Sequence, residues 1–447
     1  MSILKLRGVH LKHCKHTAEM IPERMPTPKT ITLPMSMHIG APAVPVVKVG
    51  DSVRVGQLIG AAAQGLSSPV YSGVSGTVKK LDETIAVSGA RIQTVTIESD
   101  GLQTVFDGIC APVVQTREDF LEAVKQSGIV GLGGAGFPTL VKLGADVSRI
   151  DTIVVNGAEC EPYITSDTRT MIDDAELVAE GIGLLMKYLE VKRAVVGIEN
   201  NKPSCIASMK KATSEMEGVE IRSLPAVYPQ GGEKVLVYHT LGRVIGEGKL
   251  PLDVGVIVIN CTTLACIAKY IRTGMPLVEK CVTVDGSAVA HPKNVIVPIG
   301  TRVMDLIEFC GGFSQVPRKI LSGGPMMGVS LADLSMPVLK QTNAILVFGR
   351  KEATPPPVTE CIKCGRCMSH CPFGLSPTEI AKAYEAGDGR TLEKLKVQLC
   401  MECGCCAYVC PAKRNLVQQN KLAKNVLRAY QASKVNHANN AKQGGKG

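Results

Sequence analysis

The stretch GLGGAGFPT, residues 131–139, is the one on which the fold turns. Gly131, Gly133 and Gly136 satisfy G-x-G-x-x-G, and Glu159 follows at about the distance where a dinucleotide fingerprint places its acid. That fingerprint has mechanical meaning only where it follows a buried strand and opens a helix. Upstream, TREDFLEAVKQSGIVG sets Phe120, Leu121 and Val124 among charges, the pattern of an amphipathic helix. Downstream, Pro138 pushes Phe137 toward an extended backbone, and only then does TLVKLGAD read as helix, with IDTIVVNGAE as the strand after it. Helix, glycine loop, helix, strand is not the Rossmann order. The loop is either a cradle whose backbone N–H groups approach a phosphate, or a tight turn with no ligand.

A chain of 447 residues is too long for one core, and two to four domains are expected. With 45% apolar and 20% charged residues it is a soluble globular protein rather than a disordered one. The formal charge of +10 is partly concentrated in KLAKNVLRAYQASKVNHANNAKQGGKG, read as a basic helix and a disordered tail. That tail is either simply solvated or docks on an acidic partner or anionic lipid. No nucleic-acid signature accompanies the charge, so nucleic acid is not an expected partner. No apolar run is long enough for a membrane span, and the first twenty residues lack the apolar core of a signal peptide. Seventeen cysteines, an odd number, point to reduced thiols in the cytoplasm.

Eight of those cysteines fall into two runs. CIKCGRCMSHCP holds Cys361, Cys364, Cys367 and Cys371 before Pro372, and CMECGCCAYVCP holds Cys400, Cys403, Cys406 and Cys410 before Pro411. Each is C-x2-C-x2-C-x3-C-P, the bacterial ferredoxin run, in which the fourth cysteine ligates the other cluster. One [4Fe–4S] centre is therefore assigned Cys361, Cys364, Cys367 and Cys410, and the second Cys400, Cys403, Cys406 and Cys371. Paired C-x2-C also binds zinc, but two complete runs each ending in Cys-Pro favour clusters. Cys405 is surplus to the pattern. The intervening GLSPTEIAKAYEAGDGRTLEKLKVQ reads as one or two amphipathic helices.

The glycine loop also carries a resemblance. GLGGAGFPTLVKL followed by VVNGAECEP is similar to the flavin- and NADH-binding motifs of the flavoprotein subunit of respiratory complex I. The matching positions are Gly131, Gly133, Gly134, Gly136, Phe137, Lys142, Asn156, Glu159, Glu161 and Pro162. YPQGGEKVL resembles that family's Tyr-x-x-Gly-Glu-Glu segment through Tyr228, Gly231 and Glu233, with Gly232 replacing the first Glu. VINCTTLA matches its FMN-contact strand through Asn260 and Thr263. The resemblance implies noncovalent FMN beside Lys142, and acids that accept hydrogen bonds from flavin or NADH.

Other segments fit around this centre. HIGAPAVPVVKVGDSVRVGQLIG and SSPVYSGVSGTVKKL look like a barrel-sandwich module without the carrier lysine of biotinyl and lipoyl domains. Residues 281–313 resemble an SLBB β-grasp domain, and EATPPPVTE is a stiff hinge before the clusters. His10, His13, Cys14 and His16 lie close together in HLKHCKHT, an incidental cluster or a metal site.

The whole order resembles the RnfC family, whose members belong to Rnf complexes. The expected fold is α/β multidomain: an extension at 1–29, a barrel-sandwich at 30–100, a complex I flavoprotein-like α/β FMN/NADH domain at 101–275, an SLBB β-grasp domain at 276–350, an α-helical two-[4Fe–4S] ferredoxin domain at 351–415, and a basic helix and tail at 416–447. The resemblance implies a peripheral subunit on the cytoplasmic side of the cell membrane, exchanging electrons between NADH or NAD+, FMN and the clusters. Its partners would be the other Rnf subunits, with ferredoxin reached indirectly, and Na+ or H+ transport would belong to them. A flavin-free electron wire and a PduS-like NADH-dependent cobalamin reductase are the alternatives. The PduS relatives begin near the flavin domain, and the leading module here favours RnfC.

Overall fold

The computed structural model of the protein describes residues 7–85 and 89–444, with side chains to residue 434. Near the N-terminus, Thr30–Pro34, Arg91–Ser99, Gly76–Ile85 and Ser52–Val53 form an antiparallel sheet in that order, facing a smaller sheet of Val44–Pro45, Leu58–Ala61 and Val70–Tyr71. The period-two pattern explains the sandwich. Ile31, Leu33, Val95 and Ile97 point inward and are wholly buried, each stabilising by about 2 kcal/mol.

The central domain follows the order read from the sequence. A helix spans Arg117–Gln126, capped by Thr116 and Asp119 bonding reciprocally. The glycine loop comes next, then the short helix Thr139–Leu143, which Gly144 ends before the expected Asp146, and then the strand Thr152–Gly157. Four strands form a parallel sheet in the order Val219–Leu224, Ala194–Glu199, Thr152–Gly157, Val256–Asn260. The three inner runs are apolar almost throughout because both faces are covered by helices such as Ala175–Tyr188 and Cys261–Thr273. The strand order reverses between Thr152–Gly157 and Val256–Asn260, and a crevice opens at such a switch point. The glycine loop therefore approaches a nucleotide-binding type of sheet from outside the first strand.

Beyond it, Glu279–Asp285, Lys293–Pro298, Lys319–Ser322, Val329–Ser330 and Ala344–Phe348 build the β-grasp sheet. Glu23–Arg24 of the N-terminal extension adds an edge strand to it, parallel to Lys293–Pro298. The cysteine segment carries helices Pro377–Glu385 and Gly389–Lys394 between the two runs, matching the expected amphipathic pair. The C-terminal segment departs from expectation: the helix Leu416–Gly444 continues through most of the stretch read as a disordered tail. Its first turns bury Ala423 and Leu427 against Ile380 and Leu392, so packing extends the helix where local composition gave no core. Among the described residues no helix is long and apolar enough to cross a membrane.

Candidate functional site: a switch-point pocket joined to paired cysteine loops

A cavity of about 580 Å3 lies at the switch point, within the range of cofactor sites. Asn156 and Asn260, register partners at the ends of their strands, form its floor. Asn260 donates to Asp167 Oδ2 at 2.8 Å and accepts from the Thr263 backbone at 3.1 Å, which caps the helix Cys261–Thr273. Gly131, Gly133, Gly134, Gly136 and Phe137 form one wall, with Leu250–Leu252 opposite. The Gly131 N–H donates to Phe137 O at 2.8 Å, closing the loop, and Leu132 N–H donates to Thr263 Oγ1 at 3.1 Å, tying it to the helix. A Cβ on Gly133 would stand 2.5 Å from Asn260 Nδ2, whereas one on Gly134 would meet nothing within 4 Å and project into open space. Gly136 adopts φ +70°, a left-handed backbone that other residues resist.

Two polar groups equip this cradle. Lys142 Nζ donates to Glu233 Oε1 at 3.0 Å and to Val258 O at 2.8 Å, leaving one donor direction on a positive charge. Thr139 Oγ1 is buried on the wall with no protein partner, an orphan in a place where a ligand would satisfy it. Glycine walls open to the cavity, a lysine and an unsatisfied hydroxyl fit a phosphate-bearing flavin. Thr139 and the apolar rim at Leu250–Leu252 were missed in the sequence. Thr139 stands inside the quoted motif, but no local pattern distinguishes the rim.

Ten of the fourteen candidate cofactor residues line this cavity: Gly131, Gly133, Gly134, Gly136, Phe137, Lys142, Asn156, Glu233, Asn260 and Thr263. The other four, Glu159, Glu161, Tyr228 and Gly231, lie behind its wall. Glu159 accepts from the backbone of Asp167 at 2.6 Å and Thr168 at 3.1 Å, so it caps the helix Ser166–Asp173. Glu161 accepts from Met326 N–H at 3.0 Å and Met327 N–H at 2.8 Å, and burial pushes its carboxyl up to about 7. Gly231 N–H reaches Cys160 Sγ at 3.3 Å while its carbonyl accepts from Asn156 at 3.0 Å. Tyr228 Oη donates to Cys403 O at 2.8 Å. Buried N–H groups claim both acids, which is why neither is free for a ligand in the cavity. The departure at Gly232 has a similar reason: a Cβ there would come within 2.5 Å of Met401 Cε, in the second cysteine run.

The two runs repeat one backbone. Lys363, Gly365 and Gly374 take φ values of 54°, 72° and 66°, and their counterparts Glu402, Gly404 and Lys413 take 60°, 80° and 53°. Each run enters a short helix, Arg366–Ser369 or Cys405–Tyr408. By this repeat Cys405 occupies the place of Arg366, and its thiol sits 4.0 Å from Tyr228 O, outside the ligand spacing. Cys371, Cys400, Cys403 and Cys406, the set assigned to the second cluster, line one cavity. Cys367 and Cys410 of the first set share a buried group with Ala412 and Leu416. Four thiols from both runs around one space fit a shared-ligand cubane. The N-terminal His/Cys group does not converge in the same way: His13 meets Asn201 at 3.2 Å, and His16 meets Asp285 at 3.1 Å.

A switch-point cofactor pocket packed on a two-cubane module defines an electron-transferring iron–sulfur flavoprotein. Comparison with known families agrees segment by segment. The model of the RnfC barrel sandwich hybrid domain matches residues 5–102, the Nuo51 FMN-binding domain 124–269, the SLBB domain 281–330 and the 4Fe-4S dicluster domain 357–436. The RnfC-type component of the proton-translocating ferredoxin:NAD(+) oxidoreductase complex of Clostridium ljungdahlii is 40% identical over 84% of this chain and 83% of its own. Its counterpart in the Na(+)-translocating ferredoxin:NAD(+) oxidoreductase complex of Acetobacterium woodii is 40% identical over 94% of this chain and 96% of its own. The chain belongs to the RnfC family. Among solved structures, the NAD+-reducing [NiFe]-hydrogenase in its air-oxidised state superposes with a TM-score of 0.50 and 19% identity, over 71% of this chain and 64% of the hydrogenase chain. That likeness is one of fold alone. The match to an FMN-binding domain speaks against the flavin-free alternative, and the leading RnfC module against the PduS-like one.

Proposed function

We propose that this chain is the nicotinamide-side subunit of an Rnf complex, peripheral on the cytoplasmic face of the membrane. It passes electrons between NADH or NAD+, FMN and two [4Fe–4S] clusters, while partner subunits couple the flow to Na+ or H+ transport. When bound, FMN supplies the exchange between a two-electron hydride and single electrons. The chain's own contribution is positional. The glycine wall and Thr139 hold a phosphate-bearing ligand, Lys142 supplies positive charge against Glu233, and the strand-end asparagines fix the floor.

One observation carries this reading: the pocket and the second cysteine run share a seam. Asn156 in the pocket floor bonds Gly231, and three residues earlier in the same loop Tyr228 bonds Cys403. The first run, by contrast, is open to solvent at Ile362, Lys363, Cys364 and Arg366. The cluster of Cys400, Cys403, Cys406 and Cys371 is therefore the pocket-side centre, and the cluster of Cys361, Cys364, Cys367 and Cys410 faces the partner subunits. Cys364→Ser tests the order. NADH should still reduce the remaining cluster, seen by EPR, while transfer to the assembled complex is lost. A remaining cluster that NADH cannot reduce would reverse the order.

A further inference from the structure

The seam is held from the opposite side by a residue outside every motif. Lys15, in the N-terminal extension, turns its ammonium inward and donates to Glu159 O and Glu161 O at 2.9 Å each, and also to Ile164 O. A second buried lysine, Lys202, donates to Ala158 O at 2.6 Å and pairs with Glu199 at 2.7 Å. Four carbonyls of the segment 158–164 thus point at two ammonium groups. The segment needs such a hold, because Glu159 and Tyr163 sit at φ 43° and 70°, a backbone that non-glycine residues adopt at a cost.

What the segment touches gives the hold its consequence. Through Glu159 it caps the helix bearing Asp167, whose carboxylate accepts from Asn260 of the pocket floor. Through Cys160 it accepts from Gly231 N–H. Through Glu161 it holds the loop at Met326 and Met327, and the Met326 carbonyl stands 3.1 Å from where a Cβ on Gly404 of the second cysteine run would lie. Lys15 is therefore one step from the pocket floor and one step from the cysteine loop.

We propose that Lys15 is a positioning residue that fixes the seam between the pocket and the second cysteine run, and so sets the rate of electron passage across it. The proposal rests on the function given above. It assigns the N-terminal extension a part in the redox path rather than in packing alone.

Lys15→Met in the full chain is the test. Hydrogen exchange on the cofactor-free protein should show protection at the Met326, Met327 and Gly231 amides falling by about tenfold, the equivalent of one charged hydrogen bond. Protection at Val95 and Ile97, in the barrel-sandwich, should be unchanged. In the reconstituted protein, stopped-flow mixing with NADH should bleach the flavin at the wild-type rate while cluster reduction slows by a similar factor. Should methionine at this site prevent folding, Lys15→Gln, which keeps two N–H donors without the charge, carries the same expectation. Unchanged exchange at the three amides would overturn the proposal. So would equal slowing of flavin bleaching and cluster reduction. A wild-type protein whose flavin NADH does not bleach would instead overturn the proposed function, and the exchange measurement would still decide the role of Lys15.

Discussion

Lys142 and Glu161 are both charged residues of recognised motifs, yet their surroundings give them different work. Lys142 keeps a donor direction toward the cavity, so Lys142→Met should weaken FMN binding by about ten- to a hundredfold, the worth of one charged hydrogen bond. Quenching of flavin fluorescence on titration into the apoprotein reads this directly. Glu161 is committed to two backbone amides in a buried place, and burial outweighs them, lifting its carboxyl from 4.5 to about 7. The folded protein then takes up a proton between about pH 4.5 and 7 that the unfolded chain does not. The resulting stability is fully present below pH 4.5 and is lost as pH rises through 7. Urea unfolding of wild type and Glu161→Gln at pH 5 and pH 7.5 should show the wild type losing more stability across that interval. Parallel losses in the two proteins would contradict this.

At the scale of the element, the glycine loop separates folding from binding within two adjacent residues. Gly134 borders open cavity, so Gly134→Val should leave the unfolding temperature nearly unchanged and abolish FMN retention. Gly133 borders Asn260, which caps the helix Cys261–Thr273, so Gly133→Ala should cost about 1 kcal/mol of stability as that cap is displaced. Thermal unfolding and flavin content of the two purified variants check both statements. The loop's location was legible in the sequence because Pro138 and the amphipathic helix before Gly131 exclude the Rossmann order. What was not legible is that the loop nonetheless meets a parallel sheet at its switch point. That meeting depends on strands 152–157 and 256–260, which are about a hundred residues apart and pair only in the fold. The same limit explains the acids of VVNGAECEP. Spacing marks them as polar groups near a ligand, but only tertiary contact reveals that helix 166–173 and the loop at Met326 claim them.

Across the whole molecule, the domain series was readable because each module carries its own local signature: β-turn punctuation in the sandwich, glycine spacing in the flavin domain, and cysteine spacing in the ferredoxin. The seams between modules carry no such signature. The N-terminal extension pairs Val9 with Tyr228 and inserts Lys15 beneath the loop before Ile164, contacts between residues more than a hundred positions apart. The C-terminal helix was likewise underestimated, since its core partners lie on the helices between the cysteine runs. These seams are what turn four separate folds into one path, with the second cysteine run against the pocket and the first against solvent.

If the switch-point pocket and the paired cysteine loops form one NADH-responsive unit, a single anaerobic titration reads it most directly. The clusters are reconstituted, FMN is supplied and the excess removed, and NADH is added while the visible spectrum and EPR are recorded. Bleaching of one retained flavin together with reduced-cluster signals is the expected result. Intact iron–sulfur signals with no retained flavin and no response to NADH would contradict it, leaving an electron wire whose pocket serves another purpose.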